Sequence, residues 1–406
     1  MKKIKKKFHF ECINCGKHYA GDEAKYLCPV CNAKNQKDKP PLGVLKVNYD
    51  FDLLNENQTD FSKLKSIGFL DLLPINNLDS MPFLDFGNTP LYKVDEGLFF
   101  KDDSQNPTYS YKDRASALVS AYAKEQGWET IVAASTGNAG SSIAGICAAQ
   151  HQKAIVIVPE KAPIAKLTQI MMYGAKIIPV KGTYDDAFDL SVLAGEAFGW
   201  YNRNTAFNPF TIEGKKTVSF ELFDQLGLNI PERIFVPVGD GVIISGVYKG
   251  FEDLLNLGII KKIPRIVAVQ AEGSNNLINN LFSSNFQVKQ SSTIADSISV
   301  DIPRNFYMAK KYLKKYAGMA ISVPDDEILD ASINLSQTYG LFAEPASAAA
   351  YAGYLKLLES HQIEKSSKNV VLLTGSGLKD IAALKSTLHF PEPIVPNLDN
   401  LKKLIS

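Results

Sequence analysis

Apolar β-branched segments alternate with helix-length segments along most of this chain, and this alternation constrains its fold more than any other feature. Residues 154–158 form a continuous apolar run, which is typical of a strand buried on both faces of a parallel sheet. The pattern predicts open, mostly parallel α/β sheets. The predicted strands are residues 43–47, 98–101, 130–134, 154–158, 176–180, 200–202, 233–238, 265–270 and 369–373, and the predicted helices are residues 60–68, 111–126, 140–150, 164–173, 184–198, 244–257, 325–339 and 347–358.

Three glycine-containing turns follow predicted strands, at residues 135–140, 239–246 and 374–379. In open parallel sheets, ligands bind beyond the carboxyl ends of the strands, where the strands turn into helices. We therefore expect these turns to border one shared crevice.

Composition and charge exclude several classes of protein. With 406 residues, the chain can form two or more domains with sizeable cores. The net charge of +1 gives no strong field for nucleic acid or membrane, which disfavours a nucleic-acid adaptor. Residues 1–8 are basic, but no apolar segment follows them, and no apolar run is long enough to span a bilayer. We expect a cytoplasmic protein with neither nucleic-acid nor membrane partners, and a solvated basic segment at residues 1–8.

Four of the five cysteines lie in two Cys-x-x-Cys pairs near the N-terminus. Two such pairs can present four thiolates to one Zn²⁺ ion in a closed tetrahedral shell, which would be structural rather than catalytic. Redox-active cysteines or a disulfide pair are the alternatives. Cys147 lies in an apolar helix and is expected to be an inert core residue. The candidate zinc ligands are Cys12, Cys15, Cys28 and Cys31.

Lys112 carries the clearest chemical signal in the sequence. It lies in Asn-Pro-Thr-Tyr-Ser-Tyr-Lys-Asp-Arg at residues 106–114, and Ala-Ser-Thr-Gly-Asn-Ala-Gly follows at residues 134–140. A lysine among small, aromatic and proline residues, before a turn that opens an apolar helix, indicates an amine held out of bulk water. Such an amine can form a Schiff base with a carbonyl compound.

The three turns carry residue types that suit anion binding, although each also has a plain structural interpretation. Val-Gly-Asp-Gly-Val-Ile-Ile-Ser-Gly at residues 238–246 can bring backbone amides to a phosphate at a helix N-terminus. Ser-Thr-Gly-Asn at residues 135–138 can bind a carboxylate, or can simply cap a helix. Thr-Gly-Ser-Gly-Leu-Lys-Asp at residues 374–380 can be a strand-end turn.

Together, the lysine segment and the 135–138 loop resemble the tryptophan-synthase-β-like family, the fold-type II pyridoxal-phosphate enzymes. Within that family, residues 374–380 are similar to a segment of threonine synthases. The resemblance to threonine synthases covers most of the chain, although serine and threonine dehydratases share several of its motifs. The other similar segments are the N-terminal cysteine pairs and residues 87–91, 212–217 and 343–348.

The resemblance implies a role for each motif. Lys112 would hold pyridoxal 5′-phosphate covalently and act as the base at the substrate Cα. Asn138 would hydrogen-bond the ring oxygen, and Thr374 would face the pyridine nitrogen. The implied cofactor-binding residues are Lys112, Asn138, Gly239, Asp240, Gly241, Val242, Ile243 and Thr374, and the implied substrate-binding residues are Ser135, Thr136, Asn138 and Lys215.

Several positions depart from the pattern of the family. Asp240 and Val242 stand where small or amide residues are expected, so the Asp240 carboxylate would have to point away from the cofactor phosphate, and Tyr109 and Tyr111 stand where Gly and Phe are more usual. Thr211 stands where threonine synthases usually carry an arginine that clamps the substrate phosphate, and a hydroxyl does not replace a bidentate cation. Lys215, Lys216 or Arg304 could supply the charge, or the substrate could lack a phosphate; the same three cations could also be solvated surface residues.

The resemblance implies two open, mostly parallel α/β domains with the cofactor between them, and a small N-terminal zinc-ribbon-like module. We expect the module at residues 1–45, the large domain at 46–125 and 205–406, and the small domain at 126–204. A homodimer is expected from the resemblance alone.

The leading functional hypothesis is a threonine synthase-like lyase that converts O-phospho-L-homoserine and water to L-threonine and phosphate. The alternatives keep the cofactor but change the substrate: α,β-elimination from serine or threonine, or β-replacement on an O-activated serine. A non-catalytic binding protein is a further alternative, which the presence of Lys112 and Asn138 disfavours.

Overall fold

The computed structural model describes residues 7–21, 26–57, 59–385, 388 and 391–405. Residues 1–6, which hold most of the basic N-terminal segment, lie outside the described residues. Numbered along the chain, the strands are β1 (Phe8–Cys12), β2 (His18–Ala20), β3 (Leu45–Tyr49), β4 (Leu91–Lys93), β5 (Leu98–Asp102), β6 (Thr130–Ala134), β7 (Lys153–Pro159), β8 (Lys176–Val180), β9 (Tyr201–Asn202), β10 (Arg233–Pro237), β11 (Arg265–Ala271), β12 (Met319–Val323) and β13 (Asn369–Leu373).

Helices alternate with most of these strands along the chain, and short 3₁₀ turns are not numbered. They are α1 (Pro29–Asn32), α2 (Phe51–Glu56), α3 (Phe61–Ser66), α4 (Lys112–Glu125), α5 (Asn138–Ala149), α6 (Ile164–Met172), α7 (Tyr184–Phe198), α8 (Phe210–Lys215), α9 (Thr217–Gln225), α10 (Val242–Asn256), α11 (Asn276–Asn279), α12 (Phe306–Lys315), α13 (Asp325–Tyr339), α14 (Pro345–Glu359), α15 (Ile381–Leu384) and α16 (Leu398–Ile405). Within the described parts of the chain, no helix is both long enough and apolar enough to cross a membrane.

Two open α/β sheets form the body of the protein. The larger has the strand order β12-β11-β10-β13-β5-β4, and its neighbouring strands are parallel except for β4, which pairs antiparallel with β5. The smaller has the order β8-β7-β6-β9 and is parallel throughout. The predicted fold class is therefore confirmed. The interior of β7, residues 154–158, is buried, as its unbroken apolar run predicts.

Each predicted strand and helix corresponds to an observed element, with small shifts at the ends. The helix predicted from residue 140 begins at Asn138, and the one predicted from residue 244 begins at Val242, so both glycine turns are shorter than expected. The sequence analysis missed β1, β2, β4, β12, α2, α8, α9 and α12 among others. The α8 helix was missed because Gly214 interrupts its pattern, but this glycine is needed for packing: a Cβ there would lie 2.2 Å from the Arg114 carbonyl oxygen.

The N-terminal module is a three-stranded antiparallel sheet of order β2-β1-β3 with the short helix α1 beside it. β3 pairs with β1 along its whole length, from Cys12 opposite Leu45 to Phe8 opposite Tyr49. The sheet of the module therefore runs to Tyr49, beyond the boundary expected at residue 45. The side chain of Tyr49 reaches the larger domain, where its hydroxyl donates to Glu213 Oε2 at 2.6 Å.

Candidate active site

A cavity of about 550 Å³ lies between the carboxyl ends of strands from the two α/β sheets. Two of the three turns predicted to share one crevice, at residues 135–140 and 239–246, line this cavity, whereas residues 374–379 do not. Of the candidate site residues, those that line the cavity are Lys112, Ser135, Thr136, Asn138, Lys215, Gly239, Asp240, Gly241, Val242 and Ile243. Thr374 is not part of the lining; its carbonyl oxygen accepts from the amide of Tyr111, which precedes Lys112, and its hydroxyl contacts Glu344, which Asn138 also contacts.

Lys112 is the first residue of α4, and the loop before it is attached to the turn that follows β13. The Tyr111 amide donates to the Thr374 carbonyl oxygen at 2.8 Å, and the Ser376 amide donates to the Tyr109 carbonyl oxygen at 3.1 Å. These bonds place the start of α4 next to Thr374, although the two residues are far apart in sequence.

Arg114 fixes the position of the first turn of α4. Its guanidinium is fully buried and forms two-pronged contacts with two carboxylates. Nε and Nη2 donate to Asp103 at 2.5 and 2.9 Å, and Nη1 and Nη2 donate to Glu221 at 2.5 and 2.7 Å. Bidentate pairing of this kind gives a defined orientation as well as energy, so the first turn of α4 has little freedom to shift.

The surroundings of Lys112 favour a neutral amine. Desolvation lowers the pKa of Lys112 below its ordinary value, and the nearby guanidinium of Arg203 acts in the same direction. The carboxylates of Glu344 and Asp240 partly oppose this shift. A lysine that loses its proton more readily than usual can act as a nucleophile and as a base.

The glycine turn between β10 and α10 forms a second wall of the cavity. Gly241, at φ 83°, is the N-cap of α10, and its left-handed backbone allows the chain to turn directly into the helix. A Cβ at Gly239 would lie 3.0 Å from Ile298 Cα, so only a glycine fits comfortably against that segment. The amides of the first helical turn have no intrahelical acceptor, and together with the helix dipole they can bind a phosphate.

Asp240 lies within this turn, and its carboxylate is engaged by the backbone of a neighbouring segment. The Arg304 amide donates to Asp240 Oδ1 at 3.1 Å, and the Asn305 amide donates to the Asp240 carbonyl oxygen at 2.9 Å. The first of these contacts gives the Asp240 carboxylate a hydrogen-bond donor in the backbone of residue 304.

Glu344 joins two of the predicted cofactor contacts, Asn138 and Thr374. Asn138 Nδ2 donates to Glu344 Oε2 at 2.8 Å, and Thr374 Oγ1 donates to Glu344 Oε1 at 3.3 Å. An ionised carboxylate only accepts hydrogen bonds, so it orients the amide nitrogen of Asn138 rather than the amide oxygen toward itself. Ser347 completes this arrangement by donating or accepting at Thr374 Oγ1, 3.2 Å away.

Two buried cations in the cavity wall have unsatisfied nitrogens. Lys215 Nζ has no hydrogen-bond partner among the described residues, and neither has Nη2 of Arg203. Both side chains are fully buried. Desolvation lowers the pKa of Lys215 well below its ordinary value, and Arg203 and Lys112 lower it further. Desolvation also lowers the pKa of Arg203 to about 10.

The sequence analysis did not single out Glu344 or Arg203. Glu344 is the N-cap of α14 and precedes a proline at N1, so its motif is also that of an ordinary helix start. Arg203 follows β9 directly, and a charged residue at the carboxyl end of a parallel strand is a signal that could have identified it.

The four N-terminal cysteines meet at one point of the ribbon-like module. Their Sγ atoms all lie within 4.8 Å of one another, and the closest pairs are Cys12–Cys31 at 3.7 Å and Cys15–Cys28 at 3.8 Å. With Zn–S bonds of about 2.3 Å, a regular tetrahedron has S···S edges of about 3.8 Å. All four are free thiols, so the disulfide alternative is not observed. The cluster is compatible with a tetrahedral thiolate metal site.

Comparison with known proteins identifies the family. A family model described as pyridoxal-phosphate-dependent enzyme matches residues 83–375. Threonine synthase of Methanocaldococcus jannaschii is 35% identical, over 97% of this chain and 98% of the relative. That of Methanosarcina acetivorans is 33% identical, over 98% of both chains. The chain belongs to the threonine synthase family of pyridoxal-phosphate-dependent enzymes. It is a pyridoxal-phosphate-dependent lyase.

Solved structures share the fold at lower identity. The processed form of threonine deaminase isoform 2 from Solanum lycopersicum matches with a TM-score of 0.66 and 20% identity, over 81% of this chain and 93% of that one. Maize serine racemase matches with a TM-score of 0.63 and 24% identity, over 74% of this chain and 91% of that one. These likenesses confirm the fold-type II architecture.

The residues of the cavity fit pyridoxal phosphate. The fit rests on a lysine with a lowered pKa, a helix N-terminus with a glycine turn, and an oriented asparagine amide, all within one cavity. These are the groups that an aldehyde, a phosphate and a ring oxygen require.

Proposed function

We propose that the protein is a threonine synthase that converts O-phospho-L-homoserine and water to L-threonine and inorganic phosphate. The observation that carries the proposal is that Lys112 opens into the same cavity as the glycine turn and the 135–138 loop. Membership of the threonine synthase family supports the same substrate, because the relatives match over nearly their whole length.

In this proposal, the residues of the chain divide the work. When bound, pyridoxal phosphate supplies an electron sink for charge that develops at the substrate Cα. Lys112 would hold the cofactor and, once released, would remove the Cα proton and return protons to the carbon skeleton. Its lowered pKa makes the unprotonated amine more accessible than that of an ordinary lysine. The C–O bond to phosphate breaks, and water adds at Cβ.

The other residues would position the reacting groups. The 135–138 loop would bind the amino-acid carboxylate through Ser135 and Thr136. Asn138, oriented by Glu344, would donate to the ring oxygen of the cofactor, and Thr374 would face its ring nitrogen. The first turn of α10 would bind the cofactor phosphate.

The decisive experiment is phosphate release from O-phospho-L-homoserine by the purified holoenzyme, with threonine identified as the product. We expect turnover in the ordinary enzyme range of about 1–10³ s⁻¹. If the holoenzyme instead deaminates serine or threonine and leaves O-phospho-L-homoserine intact, the protein is a dehydratase and the proposal is wrong.

We also propose that the N-terminal module is a zinc ribbon with Cys12, Cys15, Cys28 and Cys31 as ligands. Tyr49 and Lys46 of β3 attach this module to the larger domain: Tyr49 contacts Glu213, and Lys46 Nζ lies 2.5 Å from Glu252 Oε2. Loss of the metal should therefore destabilise the module and also α8 and α10, which these two contacts join to it.

Removal of the metal is expected to lower the thermal midpoint, because structural zinc contributes directly to folding. Cys12→Ser should reduce bound zinc from about one equivalent to none, as measured by elemental analysis, with a loss of several kcal/mol in stability. Cys147→Ala is the matched control, since Cys147 is buried in α5 away from the cluster and should retain the metal. Full zinc occupancy in Cys12→Ser would contradict the assignment.

We place the large domain at residues 50–125 and 205–406, because β3 belongs to the sheet of the N-terminal module, and the small domain at 126–204, with the cofactor between them. We further propose a cytoplasmic homodimer, which equilibrium sedimentation of the holoenzyme would test.

A further inference from the structure

Lys112 is not the only basic residue that lines the cavity. Besides Lys112, the fully buried Lys215 and Arg203 each present a nitrogen that has no partner among the described residues. A buried cation without a partner costs stability, so such groups persist where they meet an anion. Neither residue is accounted for by the proton chemistry of Lys112.

The two cations belong to different elements that line the same cavity. Lys215 ends α8, and its Cβ packs against Gly246 of α10. Arg203 follows β9 in the smaller sheet, and its Nε donates to Ser116 Oγ at 3.2 Å, one turn along α4 from Lys112. Arg203 lies close enough to Lys112 to lower the pKa of Lys112, and Lys112 lies close enough to Lys215 to lower the pKa of Lys215. An anion between the two would therefore lie beside the reactive amine.

The other positions considered for binding the substrate phosphate already have partners in the structure. The hydroxyl of Thr211 donates to the Asn208 carbonyl oxygen at 2.7 Å, and this buried side chain is not part of the cavity lining. Lys216 Nζ lies 2.5 Å from Glu213 and 2.7 Å from Asp253. Arg304 lines the cavity, but it pairs with Asp185, and its guanidinium carbon lies 3.7 Å from the centre of the Phe188 ring.

The cofactor phosphate has a separate site. The first turn of α10 supplies backbone amides at Gly241–Ile243 without any side-chain cation, as helix N-termini do for phosphates elsewhere. Lys215 lies against the following turn of α10, and Arg203 belongs to the other sheet. The cation pair is thus available to a second anion.

We propose that Lys215 and Arg203 form the subsite for the substrate phosphate, in place of the arginine that the family usually carries at the position of Thr211. This inference rests on the proposed function. A phosphate bound there would satisfy Lys215 Nζ and Arg203 Nη2 with charge-assisted hydrogen bonds, and would bridge the two α/β domains.

The test compares two ligands that differ only in the phosphonate group: 2-amino-5-phosphonopentanoate and L-norvaline. Their binding to the holoenzyme is followed by the change in cofactor absorbance, and cofactor affinity is measured separately by titration. We expect Lys215→Gln to weaken the phosphonate by about 10- to 100-fold, the loss of one charge-assisted bond, and norvaline by less than about 3-fold. Arg203→Lys should show a smaller loss, because it keeps the charge and loses the fork.

Thr211→Val is the matched control, because it removes the hydroxyl at the position where the family carries its arginine. We expect the ratio of the two affinities to be unchanged in this variant. Equal weakening of both ligands by Lys215→Gln, or an unchanged ratio, would overturn the proposal. A loss of cofactor affinity without a change in the ratio would also overturn it, because the pair would then serve the cofactor phosphate.

A second measurement covers the case in which a variant folds poorly. Inorganic phosphate is expected to raise the thermal midpoint of the wild-type holoenzyme, to raise that of Arg203→Lys by less, and to have little effect on Lys215→Gln. Equal stabilisation of all three proteins would overturn the subsite. Failure of the proposed function is separable, since it would appear as no phosphate release by the wild-type holoenzyme.

Discussion

Lys112→Ala is expected to reduce the turnover of O-phospho-L-homoserine by about 10⁴-fold or more, because it removes both the residue that holds the cofactor and the base. The purified variant should lack the visible absorbance of a lysine-bound cofactor. Stability should change little, since the side chain lines a cavity rather than the core and has a desolvated amine. Steady-state kinetics and an absorption spectrum measure the two effects.

The matched control is Lys124→Ala, at the other end of the same helix. Lys124 is exposed, and its amine donates only to Gln150 Oε1, at 3.2 Å, in the hydrogen bonds described. This variant should keep the visible band and wild-type turnover. A Lys112→Ala protein that retained both would show that another amine holds the cofactor.

Arg114→Met is expected to destabilise the folded protein by about 3–5 kcal/mol, the cost of leaving a buried charge without its partner. Asp103 is fully buried, and the side chain of Glu221 is only 15% exposed, so neither carboxylate can be rehydrated easily. Burial acts to raise the pKa of Glu221, but Arg114 outweighs it and holds that pKa at about 2. Denaturant unfolding of the variant and the wild type measures the difference.

The pH dependence of stability provides a second signature of Arg114. A carboxyl group with a lowered pKa in the folded state stabilises the protein above its unfolded pKa, and this stabilisation is lost as the pH falls toward the folded value. For Glu221, the loss should run from about pH 4.5 down to about pH 2 in the wild type, and should be smaller in Arg114→Met, where Lys101 is the cation that still pairs with Glu221 among the described ion pairs. Arg265→Met, at an exposed position on β11, should cost less than about 0.5 kcal/mol. A comparable small loss in Arg114→Met would refute the role of the network.

Much of the fold was predictable because its signals are local. The apolar run in β7 and the helical pattern of α7 appear directly in the sequence, and the capping box of Thr183 and Asp186 marks where α7 begins. Elements whose pattern depends on their neighbours were missed. Gly214 interrupts the helical pattern of α8 in the sequence. The reason for a glycine there is its close contact with the backbone of α4, which is visible only in the folded protein.

The candidate site was predictable to the same extent. Lys112 and the two glycine turns lie in compact motifs, and the fold brings them to one cavity. The motif of Glu344 gave no indication that its carboxylate meets Asn138, which is distant in sequence. Among the cations, the sequence analysis named Lys215 as a substrate-binding residue and kept Lys216 and Arg304 as alternatives; only the folded protein shows how their partners differ.

The sequence by itself determined the α/β class, the four-cysteine cluster, the candidate lysine at residue 112 and the family, because each depends on residue type and short spacing along the chain. The tertiary structure decided which buried charges are paired and which are not. Arg114 and Lys216 meet carboxylates from other elements, whereas Lys215 and Arg203 line the cavity, each with a nitrogen that has no hydrogen-bond partner among the described residues. That difference is decided by desolvation and by contacts between distant segments, and neither is encoded in local sequence pattern.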